Sequence, residues 1–269
     1  MRVRASDAPR AVTGDYGIAQ TLIAMGRPPI AIAAADDWDD WVVEPRLPAG
    51  IVNLGTSREI NLEILSQLKP DVIFSTPYLE RLRPKLERVA PVESFPVHAT
   101  GSSPWPNLVA AARAMGKRLG AEQEAEGLVA RTEAELAALS ERVAPLRDRP
   151  VLLAAFQDAR NAWVYGANSL YEDALQRLGL TNGWTRPTNP WGFSQVGVEA
   201  LAQARGARLF CLAPTPPDAL ALLSGSPIWR ATGFADEGRL FRLPPVLAFG
   251  GLPSVTRLAR LLAEAAQRA

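Results

Sequence analysis

One cysteine and one histidine are all that this chain of 269 residues has of the two side chains most used for soft-metal binding and proton or acyl transfer. Cys211 lies in the apolar run RLFCLA. A lone thiol there excludes an intrachain disulfide and a cysteine metal cluster, and it reads as buried filler. His98 alone removes multi-histidine metal centres and makes histidine-based catalysis a poor fit. Charge of one sign is also scarce: 29 Lys and Arg against 28 Asp and Glu leave a formal net charge of +1. With no basic run there is no face to neutralise phosphates, so nucleic acid is not an expected partner. No apolar run reaches the length of a membrane span, which predicts a soluble chain. The opening stretch MRVRASDAPRAV lacks the apolar core of a secretory signal. That fits an intracellular protein or a mature form whose leader has been removed. Enzyme signatures are missing too: no GxGxxG after a strand, no Walker A loop, no GxSxG elbow and no HExxH. AFGGLPS before the last helix is the nearest Gly-rich candidate for an anion-binding helix start, and it reads better as a plain loop.

What is present is a long helix between two similar halves. Ala121 to Leu146 carries almost nothing that breaks a helix, and Leu128, Val129, Leu136, Leu139 and Val143 form one apolar stripe. Glu122, Glu124 and Glu126 open it, Arg142 closes it and Pro145 ends it. Before it, strands are expected at Ala11 to Val12, Ala31 to Ala34, Ile51 to Leu54, within KPDVIFSTPY, and at Val92 to Phe95. Helices are expected at Gly17 to Met25, within TSREINLEILSQL, at Leu79 to Val89 and at Asn107 to Leu119. DDWDDWVVEPRLP reads as a loop. After it come strands at Val151 to Phe156, Trp163 to Tyr165, Leu209 to Ala213 and Leu240 to Leu243. Helices follow at Ser169 to Leu178, Glu199 to Ala204, Pro217 to Leu223 and Pro253 to Gln267. Strands alternating with helices predict parallel βαβ units.

An internal repeat decides how these units are grouped. LEILSQLKPDVIF, from Leu62 to Phe74, lies over VEALAQARGARLF, from Val198 to Phe210, at one offset. Both begin with a helix opening on Glu, pass through a basic turn and enter an apolar strand. LIAMG at Leu22 to Gly26 echoes LQRLG at Leu175 to Gly179. The expectation is an α/β protein of two Rossmann-like lobes with largely parallel sheets joined by one long α-helix. The boundaries are 1–120 for the first lobe, 121–146 for the connecting helix and 147–269 for the second. In such a molecule the ligand is expected where loops at the carboxyl ends of both sheets converge. Those loops are rich in aromatics: Tyr16, Trp38, Trp41 and Tyr78 in the first half, and Trp163, Tyr165, Trp184, Trp191 and Phe249 in the second. Such rings suit a bulky, partly apolar ligand. Arg58 could present donors to ligand oxygens or pair with Glu59 or Glu63.

Several segments resemble the ferrichrome-binding family of ABC-importer receptors: WVVEPRLP, LGTSREINLEILSQLKP, VYGANSLYEDALQRLGLTNGW and NPWGFSQVGVEAL. The resemblance extends from about Arg10 to the C-terminal helix. It implies a periplasmic protein, here in its mature form without a signal peptide, that acts as a monomer. Its ligand would be an intact Fe(III)-hydroxamate siderophore, with no cofactor and no metal ligand supplied by the protein. The wider class adds haem, cobalamin and catecholate siderophores as alternative ligands, and a Rossmann-like enzyme acting on a sugar or nucleotide is the distant rival. By the resemblance, Tyr78 falls on a tyrosine that assists chelate binding. Arg58 lies one place past the arginine that donates to hydroxamate oxygens, a position that Ser57 takes. Trp41 and Trp191 match tryptophans of the site and Leu247 stands where the family has another; Phe249, Tyr16 and Trp38, expected from their loops and not from the resemblance, complete the wall. Glu80 and Glu199 are the nearest equivalents of the carboxylates that dock onto the permease in the inner membrane.

Overall fold

The structure, a computed structural model, describes residues 8–98, 101–223, 226–234 and 239–268; the polar tail from Met1 to Asp7 lies outside them. The chain divides into two units. Unit 1 comprises Met1–Val97, Trp105–Thr132 and Phe249–Ser254, and unit 2 comprises His98–Pro104, Glu133–Ala248 and Val255–Ala269.

Unit 1 opens with β1 (Ala11–Thr13), α1 (Tyr16–Ala24), β2 (Ala31–Ile32) and α2 (Trp38–Trp41). Next come β3 (Val52–Asn53), a hairpin of β4 (Gly55–Thr56) and β5 (Glu59–Ile60), α3 (Leu62–Leu68), β6 (Val72–Ser75), α4 (Arg83–Leu86) and β7 (Val92–Ser94). The main sheet has five strands in the order β3-β2-β1-β6-β7, all parallel. Its central strands, AVT and VIFS, are buried throughout, as a parallel sheet covered on both faces requires. Their apolar runs are what made them legible.

Two helices then extend the chain, α5 (Pro104–Leu119) and α6 (Glu122–Arg142). The stripe expected on α6 is buried, from Leu128 at 6 % exposure to Val143 at 0 %. The division falls within α6 at Thr132, so this helix contributes to both units. It is not alone in doing so, because the last helix also begins in unit 1 and ends in unit 2.

Unit 2 carries β8 (Val151–Phe156), β9 (Asn161–Tyr165), α7 (Leu170–Arg177), β10 (Phe193–Gly197) and β11 (Arg208–Leu212). It ends with α8 (Pro217–Leu223), α9 (Pro227–Thr232), β12 (Leu240–Leu243) and α10 (Leu252–Ala266). Its sheet order is β10-β9-β8-β11-β12. Here the expectation of parallel pairing holds only for β8, β11 and β12; β9 runs antiparallel to both β8 and β10. A hairpin whose turn is organised by Asp158 brings β9 straight back: the carboxylate accepts from the backbone N–H of Arg160 and Asn161. Between the sheet and its helices Phe156, Trp184, Leu209, Cys211, Trp229 and Phe234 form one core. Burial there pushes the Cys211 thiol up to about 12, so it stays protonated, as a filler would.

The sequence repeat corresponds to equivalent places. β6 and β11 each stand fourth in their sheets and pair in parallel on both sides. Gly26 and Gly179, which end the two echoing helices, both take positive φ, 74° and 69°. The copies differ in their helices. Asn61 caps α3 by accepting from Glu63 and Ile64 N–H, whereas Gly197 offers no side-chain cap and Val198–Ala204 winds as a 3₁₀ helix.

Candidate ligand-binding site

In a parallel sheet every carboxyl end points the same way, so the segments leaving β1, β2, β3 and β6 gather at one end of unit 1. Thr13 leads to Asp15, which caps α1 by accepting from Ile18 N–H at 3.0 Å. The same carboxylate accepts from Thr76 Oγ1 at 3.2 Å, tying the exit of β1 to that of β6. Tyr16 donates its hydroxyl to the Ala34 carbonyl at 2.6 Å and stands edge-on to Trp38 at 5.5 Å, tying β1 to the exit of β2. Its phenol is pushed up to about 12, first by burial and then by the negative charges of Asp37, Asp36 and Asp40, so it stays a neutral donor at physiological pH.

On this frame three side chains stand out into solvent. Trp41, at the end of α2, is 49 % exposed and Tyr78, in the 3₁₀ turn Pro77–Leu82, is 54 % exposed. Arg58 occupies the two-residue turn between β4 and β5 and is also exposed. Neither the Arg58 guanidinium nor the Tyr78 hydroxyl makes a hydrogen bond or ion pair with a described residue. Of the readings open for Arg58, pairing with Glu59 or Glu63 is therefore not realised among the described residues.

Trp38 is the correction. It was expected to face the ligand, yet it is 1 % exposed and its indole N–H donates to the Pro45 carbonyl at 2.9 Å. DDWDDW was expected to be a loop and instead forms a 3₁₀ turn and α2. Trp38 and Trp41 lie three positions apart on it, one buried in the core and the other exposed.

Gln20, which no local pattern marks, organises the other side of this frame. Fully buried, its side-chain oxygen accepts from Gly251 N–H and Ser254 Oγ, both at 2.9 Å, while its amide donates to the Glu44 carbonyl at 2.7 Å. Beside it, a Cβ on Gly17 would lie 2.8 Å from the Phe249 carbonyl, so half-buried Phe249 is seated against the start of α1.

In unit 2 the motifs GANSL and NPWG form one piece of structure. Gly166 N–H donates to the Gly192 carbonyl, Thr188 Oγ1 to the Ala167 carbonyl, and Ser169 caps α7 by accepting from Glu172 N–H. Gly192 has φ of 81°, and any Cβ there would sit inside the Ser169 backbone, so this position demands glycine. Asn189 Oδ1 accepts from the backbone N–H of Trp191 and Phe193, fixing the turn that holds Trp191 out at 42 % exposure.

This piece is not at the carboxyl ends of the parallel strands, as was expected. Because β9 is antiparallel, with Tyr165 opposite Leu153, GANSL lies beyond the amino-terminal half of β8. Leu247, half-buried, follows β12, and the carbonyl of its neighbour Val246 accepts from the Tyr171 hydroxyl in the first turn of α7, next to GANSL. Tyr165 and Trp184, expected among the loop aromatics, are core residues at 4 % exposure. Trp163 lies in β9, half-buried, and stacks on Phe193 of β10 with centroids 4.5 Å apart. Phe193 was missed; the alternation in FSQVG was its only signal.

Of the two carboxylates, Glu80 is half-exposed and paired with Arg83, and Glu199 is exposed in the first turn of Val198–Ala204. No group of three His, Cys, Asp or Glu that could hold a metal is found among the described residues, and no helix among them is long and apolar enough to cross a membrane. The arrangement offers hydrogen-bond donors and aromatic faces, the chemistry for holding an organic ligand rich in acceptor oxygens.

Residues 12–247 match the family described as "Periplasmic binding protein". The chain belongs to that family. As a periplasmic binding protein it is 29 % identical over 261 residues to the iron(3+)-hydroxamate-binding protein FhuD of Escherichia coli K12, covering 97 % of this chain and 88 % of the relative. Among solved structures it is similar to the siderophore-binding protein FhuD of Vibrio cholerae bound to Fe3+-Desferal, with a TM-score of 0.87 and 25 % identity, covering 96 % of this chain and 97 % of that one. The petrobactin-binding protein YclQ of Bacillus subtilis shares the fold, with a TM-score of 0.80 at 14 % identity, covering 97 % and 93 % of the two chains.

Proposed function

We propose that this protein captures an Fe(III)-hydroxamate siderophore as an intact chelate outside the cytoplasm and delivers it, as a monomer, to an ABC permease in the inner membrane. The observation that carries this reading is the grouping of Arg58, Tyr78 and Trp41 at one end of the first sheet, all exposed, in a chain whose near-full-length relative is named for hydroxamate binding. Arg58 and Tyr78 donate to hydroxamate oxygens, and Trp41, Trp191 and Phe249 pack on the organic part of the chelate, with Tyr16 and Leu247 beside them. The siderophore supplies every iron ligand, and the role is binding rather than catalysis. Titration with a ferric hydroxamate should quench tryptophan fluorescence at micromolar ligand or below. Tight binding of haem, cobalamin or a ferric catecholate, with no response to ferrichrome or ferrioxamine, would overturn the hydroxamate assignment.

Glu80 and Glu199 are proposed to dock onto the permease. Glu80→Arg with Glu199→Arg should abolish iron-siderophore uptake in cells while affinity in solution stays at the native value. Unimpaired uptake would remove both residues from the interface.

A further inference from the structure

Beside the hairpin, unit 1 holds a shallow pocket of about 90 Å³ lined by exposed Arg58 and Lys85 over the leucines Leu62, Leu82 and Leu86. Arg58 comes from the β4–β5 turn and Lys85 from α4, so two segments that leave β3 and β6 each place a cation on it. Their neighbour Arg83 is engaged by Glu80 and Glu87. Lys85 and Arg58 make no such pair with a described residue. Glu59 is the only carboxylate on the lining, which leaves the pocket with one net positive charge. Cationic heads above a hydrocarbon floor complement a carboxylate at the end of a short aliphatic arm.

We propose that this pocket is a subsite for a carboxylate-bearing arm of the chelate, so that the protein selects anionic over neutral or cationic ferric hydroxamates. The inference rests on the hydroxamate reading above and adds charge selectivity to it, with Lys85 as the residue that confers it. Arg58 lines the pocket, and its turn follows the carboxyl end of β3 as the turn that carries Tyr78 follows that of β6.

The test uses one ferric core with three charges: ferrioxamine B with its free amine, its N-acetyl derivative and its N-succinyl derivative, each titrated into the full chain by fluorescence quenching. The succinylated complex should bind about three- to tenfold more tightly than the acetylated one, and the amine form least tightly. Lys85→Gln should collapse that order. Equal affinity of the native protein for all three, or an undiminished preference in Lys85→Gln, overturns the subsite and leaves hydroxamate binding standing. Binding of none of the three overturns the hydroxamate reading and the subsite with it.

Discussion

Trp38→Ala is expected to destabilise the protein by about 3–5 kcal/mol, the range for emptying a buried tryptophan site. The loss has two parts. The indole is 1 % exposed and in edge contact with Tyr16, so truncation leaves a cavity under the exits of β1 and β2. It also strands the Pro45 carbonyl that the indole N–H now serves. Trp41→Ala, three positions along the same helix, should leave the urea midpoint close to native, because half of that ring is already in water. It should instead shrink the ligand-induced fluorescence change and weaken binding. Chemical denaturation of the two variants side by side checks this pair. Equal destabilisation of both would mean that α2 does not divide its tryptophans between core and ligand.

Arg58→Ala should weaken binding of a ferric hydroxamate by roughly ten- to a hundredfold, the range for losing a charge-assisted hydrogen bond, with little change in stability. The exposed guanidinium, without a partner among described residues, has nothing to lose in the folded protein and its donors to give to a ligand. Arg58→Lys should recover only part of the affinity, since an ammonium cannot present the planar fork to two oxygens. Tyr78→Phe should show a smaller loss in the same direction, because it removes one neutral donor and keeps the ring. Calorimetric titration reads all three. Native affinity in Arg58→Ala would assign that residue to the surface, and the sequence offset that puts Ser57 at the expected position would then be the better guide.

Much of the fold could be read from apolar runs. VIFS, VLLAAF and RLFCL are buried almost throughout, and no other element type suits such short uninterrupted stretches between turns. The repeat marks β6 and β11, because equivalent strands in two lobes bury equivalent side chains. FSQVG escaped notice for the opposite reason: β10 is an edge strand, none of its residues is fully buried, and its composition is half polar. Missing it also hid the antiparallel turn of the second sheet, and with it the true position of GANSL and NPWG. The site was legible in residue type and less so in orientation. DDWDDW places two indoles on one short helix, and nothing in the spacing says which one the core takes. Gln20 and the Trp163–Phe193 stack depend on contacts between segments far apart in sequence, which no local pattern records.

The protein is expected to hold an intact ferric chelate without ligating the iron itself. Native mass spectrometry of the protein mixed with a ferric hydroxamate at micromolar concentration tells a bound chelate from bound iron. One added mass equal to siderophore plus iron, in one-to-one ratio and less abundant when the Arg58→Ala variant is mixed at the same concentration, is the predicted result. A spectrum showing the protein alone, or the protein with iron and no siderophore, would contradict it.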